Sequence, residues 1–193
     1  MKYRLKILPM LVGFLFLNGC HVSNSGNYQQ LHQEFNGTWQ PVHSITDQSI
    51  DADLDGESSR FLLEEITNWD VAFLSLQILK DSDGNEYPHL FNLPYPDQYF
   101  PPESNLGDQG FYINYNTGLA PRRFKITRSE GQLSIQLQPK SGYQDDDLPH
   151  YKSIAIKSDH LILEVVMEIE LLTADGWQMV EFTTRYARIG AGT

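Results

Sequence analysis

Over residues 161–171 apolar and polar side chains alternate with a period of two. Leu161, Leu163, Val165, Met167, Ile169 and Leu171 fall on one face, and Glu164, Glu168 and Glu170 on the other. That period marks a β-strand with one side on a core. Paired runs of the same kind, separated by short polar turns, predict hairpins. RRFKITRSEGQLSIQLQP turns at Ser-Glu-Gly, ELLTADGWQMVEF at Ala-Asp-Gly, and YKSIAIKSDHLILEV at residues 157–159. Consecutive hairpins make a meander. With GTWQPVHSI, VAFLSLQILK and FYINYN the chain offers about eight or nine strands, the number with which an up-and-down barrel leaves no exposed edge. The predicted fold class is all-β: an antiparallel, up-and-down β-barrel of about eight strands.

Two segments interrupt the alternation. Within 59–66, Phe61, Leu62, Leu63 and Ile66 stand at helical spacing and predict one short helix after the first strand, capped by Ser58 or Ser59. Residues 81–110 are rich in aromatics and proline. Pro94, Pro96, Pro101 and Pro102 argue against a central strand there, so a long loop is expected, after at most a short strand near 86–91. Tyr87, Phe91, Tyr95, Tyr99 and Phe100, with Phe111 and Tyr112 just beyond, form a candidate ligand mouth. The other reading of these rings is a satellite core packed beneath the loop.

The chain begins as an export signal: Lys2, Arg4 and Lys6, an apolar run over 7–17, then Cys20. The run is shorter than the about 20 residues a permanent membrane helix needs. Leu17-Asn18-Gly19-Cys20 resembles the lipobox of bacterial lipoproteins. The resemblance implies a signal peptide over 1–20 with Cys20 lipidated by acyl chains such as palmitate; an ordinary secretory signal is the other reading. It also implies an outer-membrane, periplasm-exposed address in the cell envelope, since His21 stands where an aspartate would retain the protein at the inner membrane. Cys20 is the only cysteine, so the fold carries no disulfide. Residues 21–34 are polar and read as a flexible tether, leaving 35–193 as one barrel domain. The net charge of −11 argues against nucleic acid and against electrostatic docking on anionic lipid. Membrane association is therefore expected through the anchor alone.

Gly37-Thr38-Trp39 resembles the Gly-x-Trp that opens the first strand of lipocalin-type barrels. That resemblance implies a tryptophan closing the barrel floor against an arginine of the last strand, through cation–π contact and hydrogen bonds to backbone carbonyls. Period two on the last strand puts Val180, Phe182, Thr184, Tyr186 and Arg188 on one face and Glu181, Thr183 and Arg185 on the other. Arg188 is thus the expected partner of Trp39. Followed by Asp-x-Asp-x-Asp-Gly, a serine pair and Leu-Leu-x-Glu, the opening is similar to lipocalin-like lipoproteins of environmental and gut bacteria, over residues 35–189. This implies a barrel binding a small apolar or amphipathic ligand in its interior or mouth. The alternative is a filled barrel that contacts an envelope protein or glycan through the aromatic, proline-rich segment.

Asp51, Asp53, Asp55 and Gly56 occupy positions 1, 3, 5 and 6 of a calcium loop, but the twelfth position is Leu62, so the stretch is not an EF-hand. Two readings stand. Glu64 or Glu65 folding back from the helix would complete a structural calcium site, and otherwise the stretch is an acidic turn whose Asp55 or Ser58 caps the helix. Asp81-Ser82-Asp83-Gly84 and 145–147 read as a turn and a solvated charge run. The six histidines are scattered without metal-ligand spacing and read as solvent or loop residues. No nucleophile elbow or phosphate-cradling loop is present, so no catalytic residue is assigned and an enzyme is not expected.

Overall fold

The computed structural model describes residues 25–80, 88–99, 113–129, 132–138, 149–157 and 162–189. The order is α1 (Ser25–Phe35), β1 (Gly37–Ile50), β2 (Ser59–Phe61), α2 (Leu62–Glu65), a 3-10 turn (Trp69–Val71), β3 (Leu74–Gln77), β4 (His89–Tyr99), β5 (Asn114–Ser129), β6 (Gln132–Leu137), β7 (His150–Lys157), β8 (Ile162–Thr173) and β9 (Gly176–Ile189). Every described pairing is antiparallel. The path β6-β5-β4-β3-β1-β9-β8-β7 holds eight strands, with β2 added to the side of β1. Sequential strands are neighbours and β1 joins the two arms, which makes an up-and-down barrel, nearly closed where β6 and β7 approach each other.

The alternation reads out as burial. On β8, Leu163, Val165, Met167 and Leu171 are buried, and on β9 Val180, Phe182, Thr184 and Tyr186 are. Register is therefore pinned, because a one-residue slip would turn each inward set to solvent. The interior is filled by large side chains: Trp39, Trp69, Phe91, Phe124, Phe182 and Tyr186 are each at most 1% exposed. Outside, Glu164 accepts from Arg185 at 2.9 Å and pairs with Lys157 at 3.4 Å. Burial is the largest single influence on Glu164 and pushes its pKa up, but the two cations together outweigh it and hold the pKa below the ordinary value. A depressed carboxyl contributes stability above its unfolded pKa and loses it as pH falls through the folded value. Glu164→Gln should accordingly weaken the acid limb of the stability–pH curve below about pH 4.5, measured by denaturant titration.

Four expectations are corrected. The tether expected over 21–34 is helical from Ser25 on. Leu31 and Phe35 are buried and Tyr28 packs on the same cluster, an i, i+3, i+7 stripe whose two buried members contribute about 2 kcal/mol each. The loop expected over 81–110 contains β4, which runs through Pro94 and Pro96 and pairs with β5 along its whole length. Proline fits because β3 pairs only Leu90–Asn92, so beyond that point one side of β4 has no ladder to interrupt. The described end of FYINYN, from Asn114 on, is not a separate strand but the start of the continuous Asn114–Ser129. The helix after β1 is a single turn without a side-chain cap, because Ser59 belongs to β2, where its Oγ accepts from Phe61 N and donates to Glu64.

Among the histidines, His89 is not a solvent residue. It is 2% exposed, and its Nδ1 accepts from Leu79 N at 3.1 Å. Burial holds its pKa below that of an ordinary imidazole.

Candidate functional site

One end of the barrel is sealed. Trp39 and Arg188 are cross-strand partners on β1 and β9. Trp39 Nε1 donates to Phe35 O at 3.2 Å, while Arg188 donates to Gln33 O at 2.5 Å, Glu34 O at 3.1 Å and Asn36 O at 2.7 Å. The carbonyls of Gln33, Glu34 and Phe35 are the last of α1, without partners within the helix, and that of Asn36 follows them; a cation at a helix C-terminus also meets the negative end of its dipole. Gly37 sits at φ +137°, a backbone conformation that favours glycine. Among the described residues cation–π contacts are made by Lys80 over Tyr28 and Arg122 over Tyr151. Arg188 makes none, so in place of the expected ring contact the two side chains bond different carbonyls of the same short stretch, Trp39 that of Phe35 and Arg188 those of Gln33, Glu34 and Asn36.

The opposite end, where β1 finishes, carries a cluster of carboxylates. Asp51, Asp53 and Glu65 each bring a carboxylate oxygen within 4.8 Å of the others. Of the acidic residues predicted there, Asp55 and Glu64 stay outside. Asp55 accepts from Glu57 N at 2.7 Å, and exposed Glu64 accepts from Ser59 Oγ at 2.6 Å. Adjacent helical residues face different ways, and α2 buries Leu62 and Glu65, three apart, on its inner side. Glu65 Oε2 accepts from Ala52 N at 2.9 Å and Asp51 Oδ2 from Gly56 N at 3.0 Å, while Asp51 Oδ1 is buried without a partner. Burial first, then the neighbouring carboxylates, raises the pKa of Asp53 and of Glu65 even against backbone hydrogen bonds that lower it.

This corner is tied to the strands beside it. Tyr115 Oη donates to Ala52 O at 2.7 Å and accepts from Gln98 Nε2 at 2.8 Å. The Gln98 amide also bonds Leu172 on both sides, donating to its O at 2.9 Å and accepting from its N at 2.7 Å. Among the described residues the β7–β8 ladder begins at His150, opposite Glu168, and leaves a notch along β8 past that point.

In the notch lies an open groove of about 270 Å³. Tyr95 and Pro96 of β4 form one wall, and Trp177 and Met179 of β9, 57% and 53% exposed, form apolar surface on the other. Asp97, Glu168 and Glu170 set carboxylates around it. Because Val180 points inward, Trp177 and Met179 face outward by alternation, and the groove is a flank of the barrel and not its interior.

The predicted mouth is divided. Tyr95 lines the groove and covers Gly118, where a Cβ would stand 2.2 Å from its ring. Tyr99 is exposed at the end of β4. Phe91 is corrected: it is a core residue, 0% exposed and stacked on Phe124 at 4.0 Å. Tyr87, Phe100, Phe111 and Tyr112 lie outside the described residues, as do Cys20, the signal peptide over 1–20 and the acidic runs at 81–84 and 145–147. The composition of the 81–110 segment pointed toward this end. Trp177, Met179, Gln98 and Tyr115 carried no such signal, because each sits within an ordinary strand pattern.

No family model, no curated protein and no solved structure matches the chain. Among the described residues no helix is long and apolar enough to cross a membrane.

Proposed function

We propose that the chain is an exported, lipocalin-like lipoprotein, anchored through Cys20 to the outer membrane of a bacterial envelope, that binds a small amphipathic molecule in the flank groove. The observation that carries this is the groove itself, where exposed Trp177 and Met179 face Tyr95 and Pro96 beneath a rim of carboxylates. Apolar walls with a few convergent polar groups are the usual make-up of a small-ligand site. The rim suits a cationic or hydroxyl-rich head, and the volume suits a short apolar portion. The Gly37–Trp39–Arg188 arrangement at the sealed end supports the lipocalin-like reading.

The test is native mass spectrometry of the purified full chain, followed by titration with a short-chain alkyl trimethylammonium probe read by tryptophan emission. Trp39 and Trp69 are buried, so the response belongs to Trp177. Trp177→Ala should weaken binding roughly tenfold. Equal affinity in this variant, measured calorimetrically, overturns the site.

A second reading is favoured by the filled interior: a solid barrel whose exposed β4 end, with Tyr99, contacts an envelope protein or glycan. A chain that takes up no amphiphile yet holds a stoichiometric envelope partner, lost in Tyr99→Ala, would establish it instead.

A further inference from the structure

We propose that Asp51, Asp53 and Glu65 hold a structural Ca²⁺ that locks the groove end of the barrel. Three carboxylate oxygens within 4.8 Å of one another all lie within about 2.8 Å of a common centre, close to the roughly 2.3–2.6 Å of calcium–oxygen contacts. Crowded acids alone are common on protein surfaces. These differ in burial and in satisfaction: Asp51 is 6% exposed and Glu65 4%. Asp51 Oδ1 is buried with no hydrogen-bond partner. A buried carboxylate oxygen left bare is expensive in free energy, and a hard cation supplies the missing contact. No cation is paired with any of the three among the described ion pairs, which involve Lys152, Lys157 and Arg185. The donors are all oxygen, which suits calcium and excludes soft metals as the preferred occupant.

The surroundings define what the ion does. Asp51 O accepts from Ala174 N in the β8–β9 turn at 3.0 Å. Ala52 donates to Glu65 through its N–H and accepts from Tyr115 through its O. Tyr115 in turn meets Gln98, which spans to Leu172 and lines the groove. An ion bridging Asp51, Asp53 and Glu65 therefore ties β1, α2, β5, β4 and the β8–β9 hairpin at one point. The proposal is independent of what occupies the groove.

The test is thermal unfolding of the purified full chain in EGTA and in calcium chloride, with calcium binding measured by calorimetry. Ca²⁺ at about a hundredfold excess over its Kd should raise Tm by roughly 5–10 °C. Asp53→Asn keeps an oxygen to accept from Asp55 N, as Asp53 Oδ1 does at 3.2 Å, and removes one repelling charge. Its EGTA midpoint should match or exceed that of the parent, while its calcium response is lost. Were that variant not to fold, Glu65→Gln carries the same comparison, since its amide oxygen can keep the bond from Ala52 N. No calcium-dependent rise at millimolar concentration, or an equal rise in the variant, overturns the proposal.

Discussion

Arg188→Met should lower unfolding free energy by about 2–4 kcal/mol, since hydrogen bonds made by a charged donor contribute about 1.5–3 kcal/mol each and these are only partly screened. The loss is larger than for a surface arginine because three carbonyls, those of Gln33 and Glu34 at the end of α1 and of Asn36 just past it, are left without their donor. Trp39→Ala should lower it by about 3–5 kcal/mol, the range for removing a large buried aromatic. The two effects should not add. Trp39 anchors Phe35 O and Arg188 anchors the carbonyls on either side, so once α1 detaches the second residue has little left to hold. A double-mutant cycle in urea should give a coupling energy of about 1–3 kcal/mol, with proteolytic cleavage within 25–35 appearing in either single variant. Arg188→Lys should recover part of the loss, because one ammonium cannot reach carbonyls in a planar fork. Strict additivity of the two losses would remove the account in which both residues hold the same segment.

Phe91→Ala separates a core position from a mouth position. Stacked 4.0 Å from Phe124 and fully enclosed, Phe91 leaves a cavity when truncated, and the loss should be about 3–5 kcal/mol. Affinity of the folded variant for an amphiphile in the groove should be nearly unchanged, since Phe91 does not line it. Tyr99→Ala, at an exposed site, should change stability by no more than about 0.5 kcal/mol. Denaturant midpoints for the two variants check this directly. A stable Phe91→Ala that has lost ligand would restore the residue to the mouth.

Some of the site was legible before any coordinates. Arg188 was separable from Arg185 because period two along 180–188 assigns faces without knowledge of neighbours, and the burial of Phe182, Thr184 and Tyr186 follows that assignment. The acidic corner was legible as composition but not as geometry. Which of Glu64 and Glu65 turns toward Asp51 depends on the side of α2 that packs inward, and Leu62 decides this only once the helix is docked. Pro94 and Pro96 misled because proline forbids a strand only where a ladder needs its N–H. Whether one is needed depends on how far β3 extends.

The chain's own order of residues determined the strands, their inward faces, the hairpins and the face of the last strand on which Arg188 stands, because these follow from alternation and turn chemistry acting over a few residues. Tertiary structure alone decided the rest. A polar N-terminal segment becomes helical because the barrel floor offers its stripe a surface and Arg188 offers its carbonyls a donor. The groove lies where, among the described residues, β7 starts late against β8, and the three carboxylates converge because the turn after β1, which carries Asp51 and Asp53, is met by Glu65 of α2. Contacts between distant segments have no local pattern to announce them.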